Sequence, residues 1–133
     1  MPITVNWADE HHTIVCYTID GRWNWDDWYT VFSEGKALVR SVDHRVDVIV
    51  DTRNTGWMPP DIVTHVLQVT NTRSKNLHLA VIVTRSSTAR TLYAVASRIH
   101  HRIRECYALA DSVEEARRII DQARLSEPRL EYR

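Results

Sequence analysis

The sequence contains only three glycines and two cysteines, and these shortages exclude several kinds of site. It has neither a glycine-rich phosphate-binding loop nor a Walker lysine motif, so nothing supports nucleotide specificity. Cys16 and Cys106 form no CxxC pair, and two cysteines cannot build a disulfide framework. We interpret both as reduced thiols, buried in predicted strands.

Net charge and long apolar runs are also absent. The 17 basic and 17 acidic side chains balance, so the chain has no strong overall field to attract nucleic acid or an anionic membrane. No apolar run approaches the roughly 20 residues that span a bilayer, and the amino terminus has no signal-peptide pattern. We therefore expect a cytoplasmic protein that binds neither nucleic acid nor membrane.

The charges that are present are distributed unevenly. Residues 1–66 carry ten acidic and five basic side chains, whereas residues 67–133 carry seven acidic and twelve basic ones. A solvated basic face on one or two helices explains this contrast. The alternative is a dipolar surface that orients a protein partner or a second copy of the chain.

Strand-like segments recur along the 133 residues, a length that suits one domain. They are rich in β-branched and aromatic residues. The predicted strands are Ile3–Trp7, Thr13–Ile19, Val46–Asp51, Leu77–Thr84 and Cys106–Ala110. The apolar runs of the third and fourth indicate central, parallel strands that are buried on both faces.

Four amphipathic helices are predicted between and after these strands. The first begins near the N-cap Asn24 and runs to about Val42, and the second opens with Pro59-Pro60 and stops near Asn71–Asn76. The third follows the hydroxyls at 86–88, and the fourth begins at the capping box 112–115. The core stripe predicted for the third helix is Leu92, Val95, Ala96, Ile99 and Ile103.

The order β-β-α-β-α-β-α-β-α predicts one α/β domain over residues 1–125. Alternating strands and helices favour a mostly parallel sheet with right-handed crossovers. We expect five strands, with the first as an antiparallel edge strand. Residues 126–133 have few apolar anchors and are predicted to form a loose tail.

Aromatic residues cluster around the start of the first helix. Trp25, Trp28, Tyr29 and Phe32 recur at helical spacing, which is typical of a core stripe; a ligand cage is the alternative interpretation. Trp23 precedes the helix and falls outside this stripe. If Trp23 is exposed, we expect it to anchor an interface, because tryptophan is enriched at binding hot spots.

The loop after the third strand is the best-placed candidate site. In open α/β sheets, ligands bind outside the carboxyl ends of the strands. The candidate binding residues there are Asp51, Arg53, Thr55 and Trp57. The alternative is an ordinary turn, in which Gly56 supplies a positive φ and Asp51 accepts hydrogen bonds from loop amides.

The loop after the fourth strand, Thr84–Arg90, is the second candidate. Its hydroxyls and free helix N–H groups, with Arg85, Ser86 and Arg90, are suited to a phosphate or sulfate. The alternative is that these hydroxyls only cap the helix that follows, as any strand-to-helix loop requires.

No catalytic or metal-binding motif is present. The histidines lack zinc spacing, and neither HExxH nor GxSxG occurs. Asp61 and His65 are four residues apart on a predicted helix and can touch, but no nucleophile is placed beside them. We expect no metal site and no cofactor, and we favour a protein that is not an enzyme.

Three passages carry a resemblance to a known family. They are Tyr17-Thr-Ile-Asp-Gly-Arg-Trp23-Asn-Trp25, Val48-Ile-Val-Asp51 and Ser112-Val-Glu-Glu-Ala-Arg. Together with the order of strands and helices, these passages resemble the STAS-like family over about residues 3–124. That family consists of bacterial domains related to anti-sigma-factor antagonists, and the resemblance is to its SpoIIAA-like branch in particular. The resemblance implies the STAS-like fold, a protein that binds other proteins, and a site for a small apolar ligand.

The phosphoacceptor of the regulatory members is missing from this chain. Those members carry an Asp-Ser-Ser-Gly motif after the strand-ending aspartate. The corresponding stretch here reads Trp57-Met-Pro59-Pro60-Asp61. The resemblance therefore implies no phosphorylation switch.

Two functional hypotheses follow from the sequence. The first is a non-catalytic STAS-like interaction or regulatory module that binds a protein partner or forms a homodimer. The second is a protein or enzyme that binds a small ligand, either an anion or an apolar metabolite. Its pocket would lie at the carboxyl ends of the central strands, lined by Arg53, Trp57, Arg85 and Tyr93.

Overall fold

A computed structural model describes residues 2–126 and has the predicted α/β architecture. Its strands are β1 Ile3–Trp7, β2 Ile14–Asp20, β3 Val46–Asn54, β4 Leu77–Val83 and β5 Tyr107–Ala110. Its helices are α1 Trp25–Arg40, α2 Ile62–Asn71, α3 Ser87–Ile99, α4 His101–Cys106 and α5 Val113–Leu125. The predicted tail falls mostly on residues 127–133, outside the described residues.

The five strands lie in the sheet in chain order, from β1 at one edge to β5 at the other. β1 pairs antiparallel with β2, and each later pair is parallel. This arrangement confirms the predicted mixed sheet with one antiparallel edge strand. None of the helices within residues 2–126 combines the length and apolar character needed to cross a bilayer.

The sheet separates two apolar layers. The helices α1, α2 and α3, which connect consecutive parallel strands, lie on one face of the sheet, as crossovers of one hand require. On this face Val15, Tyr17 and Val48 pack with residues of α1. On the opposite face α5 supplies Ala116 and Ile120, which pack against Ile49 and Val81 and their neighbours. Sheet side chains therefore meet α1 on one side and α5 on the other.

The first helix begins where the sequence predicts. The side chain of Asn24 accepts a hydrogen bond from the Asp27 amide at 2.8 Å, and the Asp27 carboxylate accepts one from the Asn24 amide at 3.1 Å. This reciprocal capping satisfies two N–H groups that a helix start leaves unpaired. The helix ends at Arg40, before the predicted end near Val42.

The predicted boundaries around β3 and α2 are wrong by several residues. β3 continues through Asn54, whereas the sequence predicted a loop from Thr52. Pairing of Asp20 with Asn54 and the hydrogen bond from the Thr52 hydroxyl to the Val83 carbonyl, 2.7 Å, extend the strand. α2 then begins at Ile62, so the two prolines precede the helix.

The third predicted helix is two helices. His100 has an extended backbone, with φ −116° and ψ 100°, and it separates α3 from α4. The predicted core stripe holds at Ala96 and Ile103, which are buried, but it is wrong at Val95 and Ile99, which are 50% and 69% exposed. Cys106 is buried as predicted, but it ends α4 instead of lying in a strand.

The buried carboxylate of Asp47 binds α5 to the amino end of the sheet through Arg124. Asp47 is 0% exposed and accepts hydrogen bonds from Arg45 Nη2 at 3.1 Å, Arg124 Nε at 2.9 Å and the Leu79 amide at 2.9 Å. Arg124 also donates to the Thr13 carbonyl at 2.8 Å. A buried charge is tolerated only when it is paired and hydrogen-bonded in this way.

Replacement of Asp47 should therefore be costly. We expect Asp47→Asn to lower the free energy of unfolding by about 3 kcal/mol, because two partly buried guanidinium groups lose their buried counter-charge. Urea denaturation measures this change. The exposed Asp43→Asn variant is the control, and equal stability of the two variants would contradict the role given to Asp47.

A glycine in the middle of α1 allows close contact with the sheet. A Cβ built on Gly35 would lie 1.8 Å from the Tyr17 hydroxyl oxygen and 2.5 Å from its Cζ. Glycine costs a helix interior about 1 kcal/mol relative to alanine. Gly35 therefore lowers helix propensity but leaves room for the buried phenol of Tyr17. Burial raises the pKa of this phenol well above its ordinary value.

Gly35→Ala should destabilise the protein although alanine is the better helix former. We expect a loss of about 1–3 kcal/mol from overpacking, read from thermal and urea unfolding. Tyr17→Phe in the same chain should restore part of the loss, because it removes the nearest clashing atom. Ala37→Gly, at an exposed position of the same helix, is the control for propensity alone. A more stable Gly35→Ala variant would disprove the contact.

Candidate functional site

A cavity of about 300 Å³ lies between the sheet and the helices that connect its strands. Alternate residues of four strands form its floor: Tyr17 and Ile19, Val48, Val50 and Thr52, Ala80 and Ile82, and Tyr107 and Leu109. The volume lies at the lower end of the range of small-molecule pockets, which is roughly 300–1,000 Å³. Side chains of α1, α2 and α3 form the walls.

Few residues of the two helices over the middle of the sheet are fully buried. α2 buries only Thr70 and α3 buries only Ala96. Val50 and Ile82 belong to central strands and face these helices, yet they are only partly buried. The helices therefore roof the cavity instead of packing directly onto the sheet.

Tryptophans form the wall of the cavity at the carboxyl ends of the strands. The Trp23 ring meets Trp25 and Trp57 edge-on, with ring centroids 4.9 Å and 5.7 Å apart. Such T-shaped contacts are favourable arrangements of aromatic rings. Trp28 continues the wall along α1 and lies 5.8 Å from Phe32, ring centroid to ring centroid. This end of the cavity thus offers flat apolar surfaces to a ligand.

Four residues form a hydrogen-bonded latch between α1 and the start of α2: Trp25, Tyr29, Asp61 and His65. Trp25 Nε1 donates to Asp61 Oδ1 at 3.0 Å, and the Trp25 and His65 rings stack with centroids 3.8 Å apart. Asp61 Oδ2 lies 3.1 Å from His65 Nε2, which confirms the contact predicted from their spacing. Two of the latch residues, Trp25 and His65, also line the cavity.

The latch does not supply a nucleophile. His65 Nδ1 lies 2.7 Å from the Tyr29 hydroxyl. Desolvation, and to a smaller extent the charge of Asp61, raise the Tyr29 pKa above its ordinary value. A raised pKa disfavours the phenolate that would react. The indole N–H of Trp25 is the main hydrogen-bond donor that lowers the Asp61 pKa, so the carboxylate acts as an acceptor.

Three buried polar atoms near the cavity have no hydrogen-bond partner among the described residues. They are Trp23 Nε1, Trp28 Nε1 and Ser74 Oγ, and all three residues line the cavity. Buried polar groups without partners are uncommon in native proteins, and each calls for an explanation. Their shared location associates them with the cavity.

The predicted site residues fall into two groups. Trp23, Thr55, Trp57 and Ser86 line the cavity, as does Tyr93. Trp23 is 6% exposed, so it does not present an interface anchor to solvent. Asp51, Arg53, Arg85 and Arg90 are not in the lining.

Asp51 and Arg53 lie on the other face of the sheet because side chains alternate along a strand. Val50 and Thr52 face the cavity, whereas Asp51 shares the α5 face with Ile49. Arg53 donates to Asp51 from Nε at 3.0 Å and from Nη2 at 2.9 Å. The Asp51–Arg53 hydrogen bonds lower the pKa of the carboxyl below its ordinary value.

The loop Thr84–Arg90 uses its polar groups locally. Ser86 Oγ accepts from the Ala89 amide at 3.1 Å, and Thr84 Oγ1 accepts from the Ser86 amide at 3.1 Å. Arg90 forms an ion pair with Asp111. This geometry matches the alternative interpretation, in which the hydroxyls cap the next helix.

Comparisons of the chain with protein-family models, with curated proteins and with solved structures gave no match. The resemblance to the STAS-like family therefore stays a prediction. Within residues 2–126 no three His, Cys, Asp or Glu side chains are grouped closely enough to hold a metal ion. The cavity is thus the feature on which a function can be argued.

The Asp51–Arg53 pair predicts a pH dependence of stability. The ionised carboxylate is favoured in the folded state, so its contribution is present above the unfolded pKa, about 3.9, and is lost as the pH falls through the lower folded pKa. We expect Asp51→Asn to cost about 1–2 kcal/mol at pH 7, since Arg53 is partly exposed. This difference from the unsubstituted protein should shrink toward pH 3.

Urea denaturation at a series of pH values measures this difference. Asp20→Asn, at the exposed end of β2, is the control and should show a small difference at every pH. A difference for Asp51→Asn that stays constant from pH 7 to pH 3 would rule out an ionised Asp51 as its source.

Proposed function

We propose that this chain is a binding protein for a small, mainly apolar molecule that occupies the cavity between the sheet and α1, α2 and α3. The observation that carries the proposal is the cavity itself, about 300 Å³ in volume and lined mainly by aliphatic and aromatic side chains. Pockets for small molecules are typically apolar, with few polar groups that fix orientation.

The unpaired polar atoms support the same proposal. Trp23 Nε1, Trp28 Nε1 and Ser74 Oγ belong to the lining and have no partner within the described chain. A ligand with hydrogen-bond acceptors is the kind of molecule that would pair with such donors. Leaving a buried donor unsatisfied costs about 1–3 kcal/mol, so the gain on binding would be substantial.

The interaction-module hypothesis stays as the second candidate. The observation that favours it is the exposure of Val95 and Ile99 on α3, a surface that a partner could cover. Single exposed apolar residues are common on soluble proteins and need no special explanation. The cavity therefore supports ligand binding more strongly than these two residues support a protein interface. A binding role does not require a catalytic residue.

Tryptophan fluorescence provides a direct test. Four of the five tryptophans line the cavity, namely Trp23, Trp25, Trp28 and Trp57. Titration with neutral apolar probes, 1-decanol and naphthalene, should change the emission and raise the melting temperature. Stabilisation should reach about 2.7 kcal/mol at a ligand concentration one hundred times Kd.

Two variants should block the cavity. Ala80 on β4 and Ala89 on α3 both line it, so phenylalanine at either position should abolish binding. These variants should retain full stability, because the new ring fills existing space. Ala94→Phe, at an exposed position of α3, is the control and should bind normally. Absence of any response in the unsubstituted protein, or equal responses in the blocked variants, would refute the proposal.

A further inference from the structure

The charged side chains that line the cavity are all of one sign. Lys36 and Arg73 belong to the lining, whereas no aspartate or glutamate of residues 2–126 does. The whole sequence has equal numbers of acidic and basic residues. A cavity that is mainly apolar, and whose charged lining residues are both cations, indicates a preference for the charge of its ligand.

Both cations lie at the amino-end side of the sheet, opposite the tryptophan wall. Lys36 is near the carboxyl end of α1, and its Nζ lies 5.5 Å from the centroid of the Phe32 ring, another lining residue. Arg73 follows α2 and donates from Nη1 to the His78 carbonyl at 2.8 Å. The Arg73 guanidinium has further N–H groups with which to bind an anion.

Contacts of Asn76 place the loop that carries Arg73 beside the end of α1. Asn76 Nδ2 donates to the carbonyls of Val39 at 2.8 Å and Val42 at 3.1 Å. Ser74 lies in this loop, and its buried hydroxyl has no partner among the described residues. This end of the cavity thus contains the ammonium of Lys36, the guanidinium of Arg73 and the hydroxyl of Ser74. All three groups can donate hydrogen bonds to a carboxylate.

We propose that the ligand is an apolar acid, with its carboxylate at Lys36 and Arg73 and its hydrocarbon body along the floor toward the tryptophans. Withdrawing a carboxylate from water is expensive unless cations compensate for it, and a guanidinium can bind both carboxylate oxygens. A neutral ligand would not need these cations, and a cationic ligand would be repelled. The inference rests on the proposed function, because it specifies the ligand of the same cavity.

A purely structural role for the two cations makes a different prediction. Positive charge is favourable near the carboxyl ends of helices, and both residues lie near such ends of α1 and α2. If helix stabilisation is their whole role, an acid and its matched neutral alcohol should bind with the same affinity.

The experiment compares decanoic acid with 1-decanol, which have the same chain length, by calorimetry at pH 7.5 on the intact chain. We expect the acid to bind at least roughly tenfold more tightly, the size of a charge-assisted hydrogen bond. Lys36→Met and Arg73→Met should each reduce the affinity for the acid severalfold, and their combination should remove the preference. Both substitutions should weaken binding of the alcohol much less than binding of the acid.

Lys75→Met is the matched control, since Lys75 is exposed in the same loop and is not in the lining. Circular dichroism confirms that each variant is folded. Equal binding of acid and alcohol would overturn the inference and leave the proposed function intact. A preference for the acid that survives both substitutions would overturn the assignment of Lys36 and Arg73. Binding of neither probe would count against the proposed function and this inference together.

Discussion

Along β3 the side chains alternate between the two faces of the sheet, and this alternation organises the rest of the molecule. Val48, Val50 and Thr52 face the cavity, while Asp47, Ile49 and Asp51 face the other way. On the α5 side, small and branched residues close the interface, and the Arg124–Asp47 ion pair joins the end of α5 to β3. On the cavity side, α1 packs closely on the sheet at Gly35, whereas α2 and α3 form the roof of the cavity. One strand thus separates a closed interface from an open one.

The fold was predictable because its signals are local and periodic. Apolar runs identify β3 and β4, and the capping residues Asn24 and Ser112 identify helix starts. The exact ends were not predictable, because tertiary contacts set them. β3 reaches Asn54 since that residue pairs with Asp20 of a distant strand. The break at His100 likewise has no glycine or proline to indicate it.

The candidate site was predictable only in part. Reasoning from strand ends found Trp57 and Thr55, because loops at the carboxyl edge do border the cavity. It also selected Asp51 and Arg53, because a strand that ended at Asp51 would have released both into a loop. Lys36 and Arg73 carried no signal, since single cations near helix ends are common. A helical aromatic stripe looks the same in sequence whether it fills a core or lines a cavity, so the cavity itself could not be inferred from Trp25 and Trp28.

The hydrogen-bonded ion pairs around Asp47 also affect the order in which the chain folds. Arg124 contacts Asp47 and Thr13, which precede it by 77 and 111 residues. Contacts of such large sequence separation form late, because closing a long loop costs entropy before the contact returns any energy. During synthesis, β1 to β4 and the helices between them leave the ribosome before α5 exists. Most of the cavity-facing side of the domain can therefore assemble first, and Asp47 gains its second cation only when the last helix has been made.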